Sequence, residues 1–241
     1  VRKSFGERTD VSTERVINFL DKIAKEKMEP YINNCYEELA EYVKAYAQRM
    51  EMSREVIADK GIWTAKKRYI LNVHDSEGVR YAEPKLKIMG IEAVKSSTPG
   101  PCREKIKEVL KVIVNEDVKA VNIFIQDFRK EFLSLPIEAV AFPRSVNGLR
   151  KWSDSNSIFK KKCPMHIKGA LIYNHLLKKL DLTRKYPLIQ EGEKIKYLLL
   201  KTPNRLQVNV ISFLSVLPKE FELHDFIDID LQFEKSYVDP L

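Results

Sequence analysis

Four consecutive residues, Lys66-Lys67-Arg68-Tyr69, combine three cationic side chains with an aromatic ring. The alternation around them predicts one strand over Ile62–Val73, which would place Lys67 and Tyr69 on one face and Lys66 and Arg68 on the other. A lysine and a tyrosine side by side on a sheet can together grip a group that is polar and flat. We therefore expect this run to bind a ligand.

A second concentration of charge lies between residues 144 and 185. This segment holds eleven lysines and arginines against two acids, Asp154 and Asp181, which leaves a balance of +9, whereas the whole chain carries +8. A localised basic segment is an electrostatic footprint for polyanions such as nucleic acid. The alternative reading is a solvated basic surface that has no partner.

The metal-binding residue types form no recognisable site. The three cysteines and four histidines have neither the spacing of a disulfide framework nor that of a zinc site, which predicts reduced thiols. Asp228-Ile229-Asp230 resembles a D-x-D metal motif. We predict a helix there, in which residues two apart point about 200° away from each other and cannot chelate one ion. These two aspartates are therefore predicted to be surface carboxylates.

The elements that must position these residues follow from apolar spacing, which distinguishes helices from strands. Helices are predicted over residues 13–28, from a kink or new start at Pro30 to about 46, and over 97–114, 118–136, 166–179 and 221–237. Strands are predicted over residues 62–73, 79–82, 85–92, 137–142, 194–200 and 208–216, with a turn at 74–78 and an irregular stretch at 143–163. The fold class is therefore α+β, with a boundary near Gly90–Pro99.

Length and composition limit the number of domains and the class of protein that the sequence can form. A chain of 241 residues with 44% hydrophobic and 32% charged residues is typical of one large or two small soluble domains. It has no apolar run of about 18 residues and no signal peptide pattern, so we expect no membrane partner. Because the chain begins at Val1, we expect it to be an excised or trimmed segment.

Four parts of the sequence, in this order, resemble the T-even-type phage branch of family B DNA polymerases. They are Lys66–Tyr69, Tyr81–Gly90 together with Ser96–Pro99, Lys162–Gly169 and Glu234–Val238. The first is similar to the K-x-Y motif, the second to the segment that enters the thumb, the third to a thumb motif near the duplex and the fourth to a stretch close to the C-terminus. One short motif occurs often by chance, but four in the family's order are specific.

The resemblance implies an antiparallel palm remnant with helices over residues 1–95, followed over 96–241 by a mostly helical thumb with a few strands. By the resemblance, Lys67 and Tyr69 contact the minor groove and backbone near the primer terminus. The other DNA contacts that we expect are Lys66, Arg68, Lys87, Lys95, Ser96, Thr98, Lys162, His166, Lys168 and Lys235. The basic stretch from Arg144 to Lys185 would follow the duplex backbone, and such contacts position DNA without reading its sequence.

The chain departs from the family pattern in its catalytic part. The S-L-Y-P-S-type and D-T-D-S motifs, whose aspartates hold two Mg²⁺ ions in the complete enzyme, do not occur, and by the resemblance the second should lie shortly before Val1. Glu55 resembles a carboxylate that the family keeps near the metals and is predicted to be an accessory catalytic group; an exposed strand residue is the alternative. By the resemblance, phage members bind the sliding clamp through a short hydrophobic tail, and we expect a possible clamp partner to need that tail, which the sequence up to Leu241 does not include.

We therefore expect the primer–template-binding C-terminal part of a DNA-directed DNA polymerase, inactive alone and working in the cytoplasm of an infected bacterium. The catalytic aspartates would come from an upstream part or from a separate chain of a split polymerase. The alternative is a non-catalytic duplex-binding protein derived from a polymerase thumb. Co-purification with a chain that contains a D-T-D-S motif would separate these possibilities.

Overall fold

The computed structural model describes residues 12–91 and 95–241, and these residues divide into two compact units between Met89 and Gly90. The described part of the first unit opens with two helical segments, α1 (Thr13–Ile23) and α2 (Glu29–Tyr42), joined by a π-helical turn at Ala24–Met28. The Ser12 hydroxyl caps α1 by accepting a hydrogen bond from the Arg15 backbone N–H (3.4 Å). Pro30 is the second residue of α2, but the backbone is helical without a break from α1 through the π-helical turn into α2, so Pro30 follows an irregularity within one helix and does not begin a separate helix.

An antiparallel sheet of three strands in the order β1-β2-β3 completes the first unit. Its strands are β1 (Val56–Ala65), β2 (Arg68–Ser76) and β3 (Val79–Met89). The predicted single strand over 62–73 is wrong, because Lys66 and Lys67 form the tight connection between β1 and β2, and Lys67 has a positive φ of 62°. The face that Lys67 was predicted to share with Tyr69 therefore does not exist.

The second hairpin is closer to the prediction. Ser76 pairs with Val79 across a short turn at Glu77-Gly78, and the two predicted strands after it are one strand, β3. The pairing jumps from Asp75–Arg80 to Val73–Lys85, so β3 bulges between the two pairs and Pro84 needs no ladder partner there. Glu92, the predicted end of this strand, lies outside the described residues.

A buried carboxylate ties the sheet to the helices of the first unit. The side chain of Asp75 is 2% exposed, and its Oδ1 lies 2.7 Å from a terminal nitrogen of Arg54 while its Oδ2 accepts from Arg80 Nε at 3.2 Å. Arg54 also donates to Asp21 in α1, at 2.7 and 3.0 Å. Burial alone would raise the pKa of Asp75, but the ion pair with Arg54 and the hydrogen bond from Arg80 outweigh it and lower that pKa.

The second unit alternates helices with short strands. Its helices are α3 (Gly100–Asn115), α4 (Val118–Ser134), α5 (Ile137–Val140), α6 (Leu149–Trp152), α7 (Met165–Lys179) and α8 (Ile229–Phe233). One antiparallel sheet has the order β4-β7-β8, made of β4 (Phe142–Ser145), β7 (Lys194–Leu199) and β8 (Val210–Phe213), and β5 (Ser153–Asp154) pairs with β6 (Ile158–Phe159). Single turns at Lys219–Phe221, His224–Phe226 and Glu234–Val238 complete the unit.

Two packed groups form the core of this unit. Phe128 and Phe132 of α4 pack edge-on against each other at 6.0 Å, and their ring centroids lie 4.5–5.9 Å from those of Phe233 and Tyr237. The other group is the contact of α7 with β8, where Gly169 lets the two backbones approach closely. A Cβ added at Gly169 would lie 2.4 Å from Ser212 Oγ and 2.8 Å from the Ser212 backbone nitrogen.

The structure confirms the α+β class and most of the predicted helices, and it corrects several bounds. Of the strand predicted over 137–142, residues Ile137–Val140 form the short helix α5, because the helix-starting Pro136 comes directly before them, and Phe142 is the first residue of β4. The strand predicted over 208–216 is only β8. The helix predicted over 221–237 is broken into turns around α8, because Glu222 adopts the left-handed conformation (φ 51°). No helix among the described residues is both long and apolar enough to cross a membrane.

Candidate nucleic-acid interface

The hairpin loop between β1 and β2 presents the cations of the first unit. Lys66 and Lys67 occupy the loop and Arg68 opens β2, and all three side chains are exposed. Arg68 pairs with Ala65 across the hairpin. A tight turn thus projects two lysines from the end of the sheet, in place of the strand face predicted from the sequence.

Tyr69 belongs to a row of large side chains that runs across all three strands. Trp63 of β1 pairs with Tyr69, and Tyr69 pairs with Met89 of β3. Directly opposed residues of antiparallel strands project to the same face, so the three side chains are neighbours. Trp63 is 68% and Met89 is 47% exposed. The row is a flat, accessible apolar surface next to the two loop lysines.

Gly61 allows this surface to form. A Cβ at Gly61 would lie 2.7 Å from the Trp63 ring and 2.8 Å from Leu71 Cδ2, so the indole covers a strand position that has room for no side chain. Trp63 was not predicted to be a site residue. Its position follows from the pairing of β1 with β2, which the sequence analysis treated as one strand.

Two predicted site residues of the first unit pair with each other. Lys87 on β3 forms an ion pair with Glu55, and the hydrogen bond to Glu55 raises the pKa of Lys87. Glu55 lies directly before β1 and is exposed. With Glu29, Glu51 and Glu77 it lines a cleft of about 510 Å³. Among the described residues, no group of three or more His, Cys, Asp or Glu is placed to hold a metal ion.

The second unit contains a cleft of about 480 Å³ in which cations and hydroxyls face each other. It is lined by Ser96, Ser97, Arg103, Pro143, Arg144, Ser145 and Lys194. Ser145 and Lys194 are paired residues of β4 and β7, and Arg103 lies in the first turn of α3. The Nε of Arg103 is buried without a hydrogen-bond partner in the described part of the chain. Three cations and three hydroxyls in one cleft suit a phosphate group.

Arg144 also lies close to His166 and Tyr197. The rings of His166 and Tyr197 have centroids 6.5 Å apart. Burial and the charge of Arg144 lower the pKa of His166, and burial raises the pKa of Tyr197. Both effects favour the neutral form of His166 in the absence of DNA.

The basic stretch over residues 144–185 is exposed and largely uncompensated. Ten of its eleven cations are exposed, and Lys168 is half-buried. Lys168 donates to Asn209 Oδ1 at 2.8 Å and lies 4.9 Å above the Phe159 ring. Within the described ranges, Lys185 alone of the eleven forms an ion pair, with Glu220 at 2.5 Å. Lys162, with a φ of 64°, stands at an exposed turn before α7.

The remaining predicted contacts are spread over the second unit. Ser96 lines the cleft, whereas the side chain of Thr98 is 5% exposed and Lys95 is half-buried. Lys235 is bound by Asp239 at 2.7 Å, and this hydrogen bond raises its pKa. Sequence reasoning missed Arg103 and Lys194. Neither lies in the motifs, and the cleft that unites them forms only when α3 meets the β4-β7 sheet.

The D-x-D motif has structural partners. Asp228 caps α8 by accepting from the Leu231 backbone N–H at 3.1 Å, and Asp230 forms an ion pair with Arg129 at 2.8 Å. We predicted that Asp228 lies within a helix, but it is the capping residue that precedes α8. Asp228 therefore stabilises the start of α8, whereas the exposed ion pair of Asp230 contributes little.

The sequence of this chain is similar to known proteins over nearly its whole length. No family model matches the chain. The chain is 38% identical over 250 residues to the DNA-directed DNA polymerase of Escherichia phage RB69, and 35% identical over 249 residues to that of Enterobacteria phage T4. Each alignment covers 98% of this chain but 27% of the relative, so the chain spans about a quarter of the length of the curated relatives it matches. The predicted resemblance is confirmed: over nearly its whole length, this chain is homologous to the C-terminal portion of T-even-type phage DNA-directed DNA polymerases.

Proposed function

We propose that this chain is the primer–template-gripping part of a DNA-directed DNA polymerase of family B, with a palm segment before a thumb. The observation that carries the proposal is the stretch of eleven cations over residues 144–185, ten of them exposed and one in an ion pair within the described ranges. Uncompensated cations on one segment attract a polyanion because binding releases the counterions of the polyanion. The homology to phage polymerases supports double-stranded DNA as that polyanion.

Three surfaces would contact the primer–template DNA. Lys66 and Lys67 would contact the backbone at the primer end, while the row of Trp63, Tyr69 and Met89 would pack against sugars and base edges. The cleft between α3 and the sheet would hold one phosphate through Arg103, Arg144 and Lys194. None of these contacts reads a base sequence, as a replicative enzyme requires.

Nucleotidyl transfer would need residues beyond those described. The complete enzyme of the family uses Mg²⁺ held by aspartates, and the described residues offer no cluster that fits such an ion. We propose that an upstream part of the polymerase supplies the catalytic aspartates. The assembled polymerase would work in the cytoplasm of an infected bacterium. Glu55, at the edge of an acidic cleft, is our candidate for an accessory carboxylate.

Fluorescence anisotropy with a recessed primer–template tests the proposal, with a single strand of equal length as the competitor. We expect the duplex to be preferred and the double variant Lys161→Gln/Lys162→Gln to bind about tenfold more weakly. The control is Lys25→Gln/Lys130→Gln, which removes the same charge from lysines already paired with Asp21 and Asp127. Equal losses of affinity in both variants would show that binding depends only on net charge, and would contradict a defined DNA-binding surface.

A second candidate is a non-catalytic duplex-binding protein. The observation in its favour is that the basic stretch and the cleft both belong to the second unit, which has its own core. Restoration of primer extension distinguishes the two. Adding the upstream part of a related phage polymerase should restore extension if the first proposal is right, and should leave only DNA binding if the second is right.

A further inference from the structure

The cleft beside α3 differs from two other clefts of the chain in the sign of its charge. Its lining contains three cations, Arg103, Arg144 and Lys194, and no carboxylate. By contrast, the cleft of the first unit is lined by four glutamates, and a cleft between α3 and α4 by three carboxylates. Like charges gathered around one cavity without a counter-charge favour an anion as the ligand.

The protein itself does not neutralise these three cations. Within the described ranges, Arg103, Arg144 and Lys194 form no ion pair. The Nε of Arg103 is buried there without an acceptor. A buried donor that has lost water and gained no partner is costly. An anion bound in the cleft would supply that acceptor.

The cations project from elements that are themselves held in place. Arg103 lies in the first turn of α3, and Lys194 is paired with Ser145 in the ladder between β4 and β7. Just beyond that pair, the Val146 N–H donates to the Glu193 carbonyl at 2.9 Å, and the Val146 carbonyl accepts from the Gly192 N–H at 2.7 Å. Little backbone freedom is therefore lost when an anion enters, which favours binding.

The number of donors indicates which phosphate fits this cleft best. A terminal phosphomonoester carries a charge of about −2 at pH 7 and three free oxygens, whereas a backbone phosphodiester carries a single negative charge and two free oxygens. The three cations, together with the hydroxyls of Ser96, Ser97 and Ser145, offer a donor to every oxygen of a monoester. A phosphodiester would leave more of the positive charge unbalanced.

We infer that this cleft binds a terminal phosphate, either the 5′-phosphate of a DNA strand or inorganic phosphate, in preference to the phosphodiesters of the DNA backbone. The inference deepens the proposed function and rests on it for the DNA strand as a source. It separates the cleft from the exposed lysines of the basic stretch, which contact any backbone phosphate alike.

The first test compares two short primer–template duplexes by fluorescence anisotropy, with the label on the template. They differ only in a 5′-phosphate or a 5′-hydroxyl on the primer. We expect the unchanged chain to bind the phosphorylated duplex about tenfold more tightly, as one added charge-assisted contact would give. Lys194→Gln, at an exposed position, should lose most of this preference. The control Lys161→Gln/Lys162→Gln should weaken the binding of both duplexes by the same factor and keep the tenfold ratio.

Calorimetric titration with inorganic phosphate distinguishes the two sources and does not depend on DNA. The unchanged chain should bind phosphate, and Lys194→Gln and Arg103→Gln should each bind it at least about fivefold more weakly. Lys194→Gln decides the result, because its exposed side chain can be replaced without disturbing the core. Phosphate binding without a preference for the phosphorylated duplex would support inorganic phosphate as the ligand.

Two results would overturn the inference. One is equal affinity for both duplexes together with no binding of inorganic phosphate, and the other is a preference or a phosphate affinity that Lys194→Gln leaves unchanged. Failure of the unchanged chain to bind either duplex would instead contradict the proposed function. In that case the calorimetry would still decide whether the cleft binds a terminal phosphate.

Discussion

At the scale of single residues, Asp75 connects elements that are distant in the sequence. It binds Arg54 and Arg80, and Arg54 reaches back to Asp21 on α1. Removing one partner of a buried pair leaves an uncompensated charge, which costs far more than the loss of an exposed pair. Asp75 looks like an ordinary turn residue in the sequence, and only its burial reveals this role.

We expect Asp75→Asn to destabilise the first unit by about 3 kcal/mol at pH 7. The folded pKa of Asp75 is lowered from about 3.8, so its contribution is complete above that pH and disappears as the pH falls through the lower, folded value. Denaturant unfolding between pH 2 and 7 should therefore show the variant and the unchanged protein converging in acid. Asp127→Asn, at an exposed ion pair, is the control and should cost less than about 1 kcal/mol.

Gly61 determines where the Trp63 indole lies. Gly61→Ala should displace the Trp63 ring, because the added methyl group would overlap both the indole and Leu71 Cδ2, and the exposed indole can move aside at little cost in stability. Tryptophan fluorescence in a Trp152→Phe background measures the displacement. Unchanged emission and unchanged affinity for primer–template would show that the apolar row does not depend on this contact.

At the scale of elements, the close contact of α7 with β8 organises the second unit. Gly169 lies against Ser212, whose hydroxyl donates to the His166 carbonyl at 2.9 Å. Helix α7 carries both His166 and Lys168, so a shift of this helix would move two predicted DNA contacts together. Gly169 therefore links packing to the binding surface.

Gly169→Ala should destabilise the second unit by about 1–3 kcal/mol or more, because the new methyl group meets backbone atoms of β8 that cannot move aside. Thermal unfolding measures the loss. The control is Gly100→Ala, where an added Cβ would have no atom within 4 Å, and we expect it to stay within about 0.5 kcal/mol. Similar melting temperatures for both variants would disprove the close-packing argument.

At the scale of the whole molecule, the excess charge of the chain belongs to one unit. The +9 of residues 144–185 lies in the second unit and exceeds the +8 of the whole chain, so the rest of the chain is nearly neutral. Binding of duplex DNA should therefore depend on the second unit and weaken strongly as salt is added, because salt screens exposed charges.

If the basic stretch and the cleft neutralise about five phosphates, log affinity for duplex DNA should fall with log salt at a slope of about −4.5. Lys161→Gln/Lys162→Gln should reduce the steepness by roughly two, as each lost phosphate contact removes about one. Anisotropy titrations between about 50 and 200 mM salt measure both slopes. A slope near zero for the unchanged chain would rule out the electrostatic account of binding.

The sequence by itself determined the α+β class, most helices, the basic stretch and the polymerase resemblance. Helix periodicity, Pro30 and the charge of residues 144–185 are local properties, which can be read within one or two turns or along one segment. The resemblance rests on the order of motifs, which needs no three-dimensional information, and the homology to phage polymerases confirmed the resemblance.

Only the tertiary structure decided that Lys66 and Lys67 form a hairpin loop, that Trp63 lies beside Tyr69, and that Arg103, Arg144 and Lys194 line one cleft. Strand register and the approach of distant elements depend on pairing between residues far apart in the chain, where each local sequence allows several solutions. Trp63 and Tyr69 become neighbours through the register of β1 against β2, and Arg103 meets Arg144 because α3 packs beside the sheet. Those contacts are fixed by the lowest free energy of the whole unit, which no local pattern encodes.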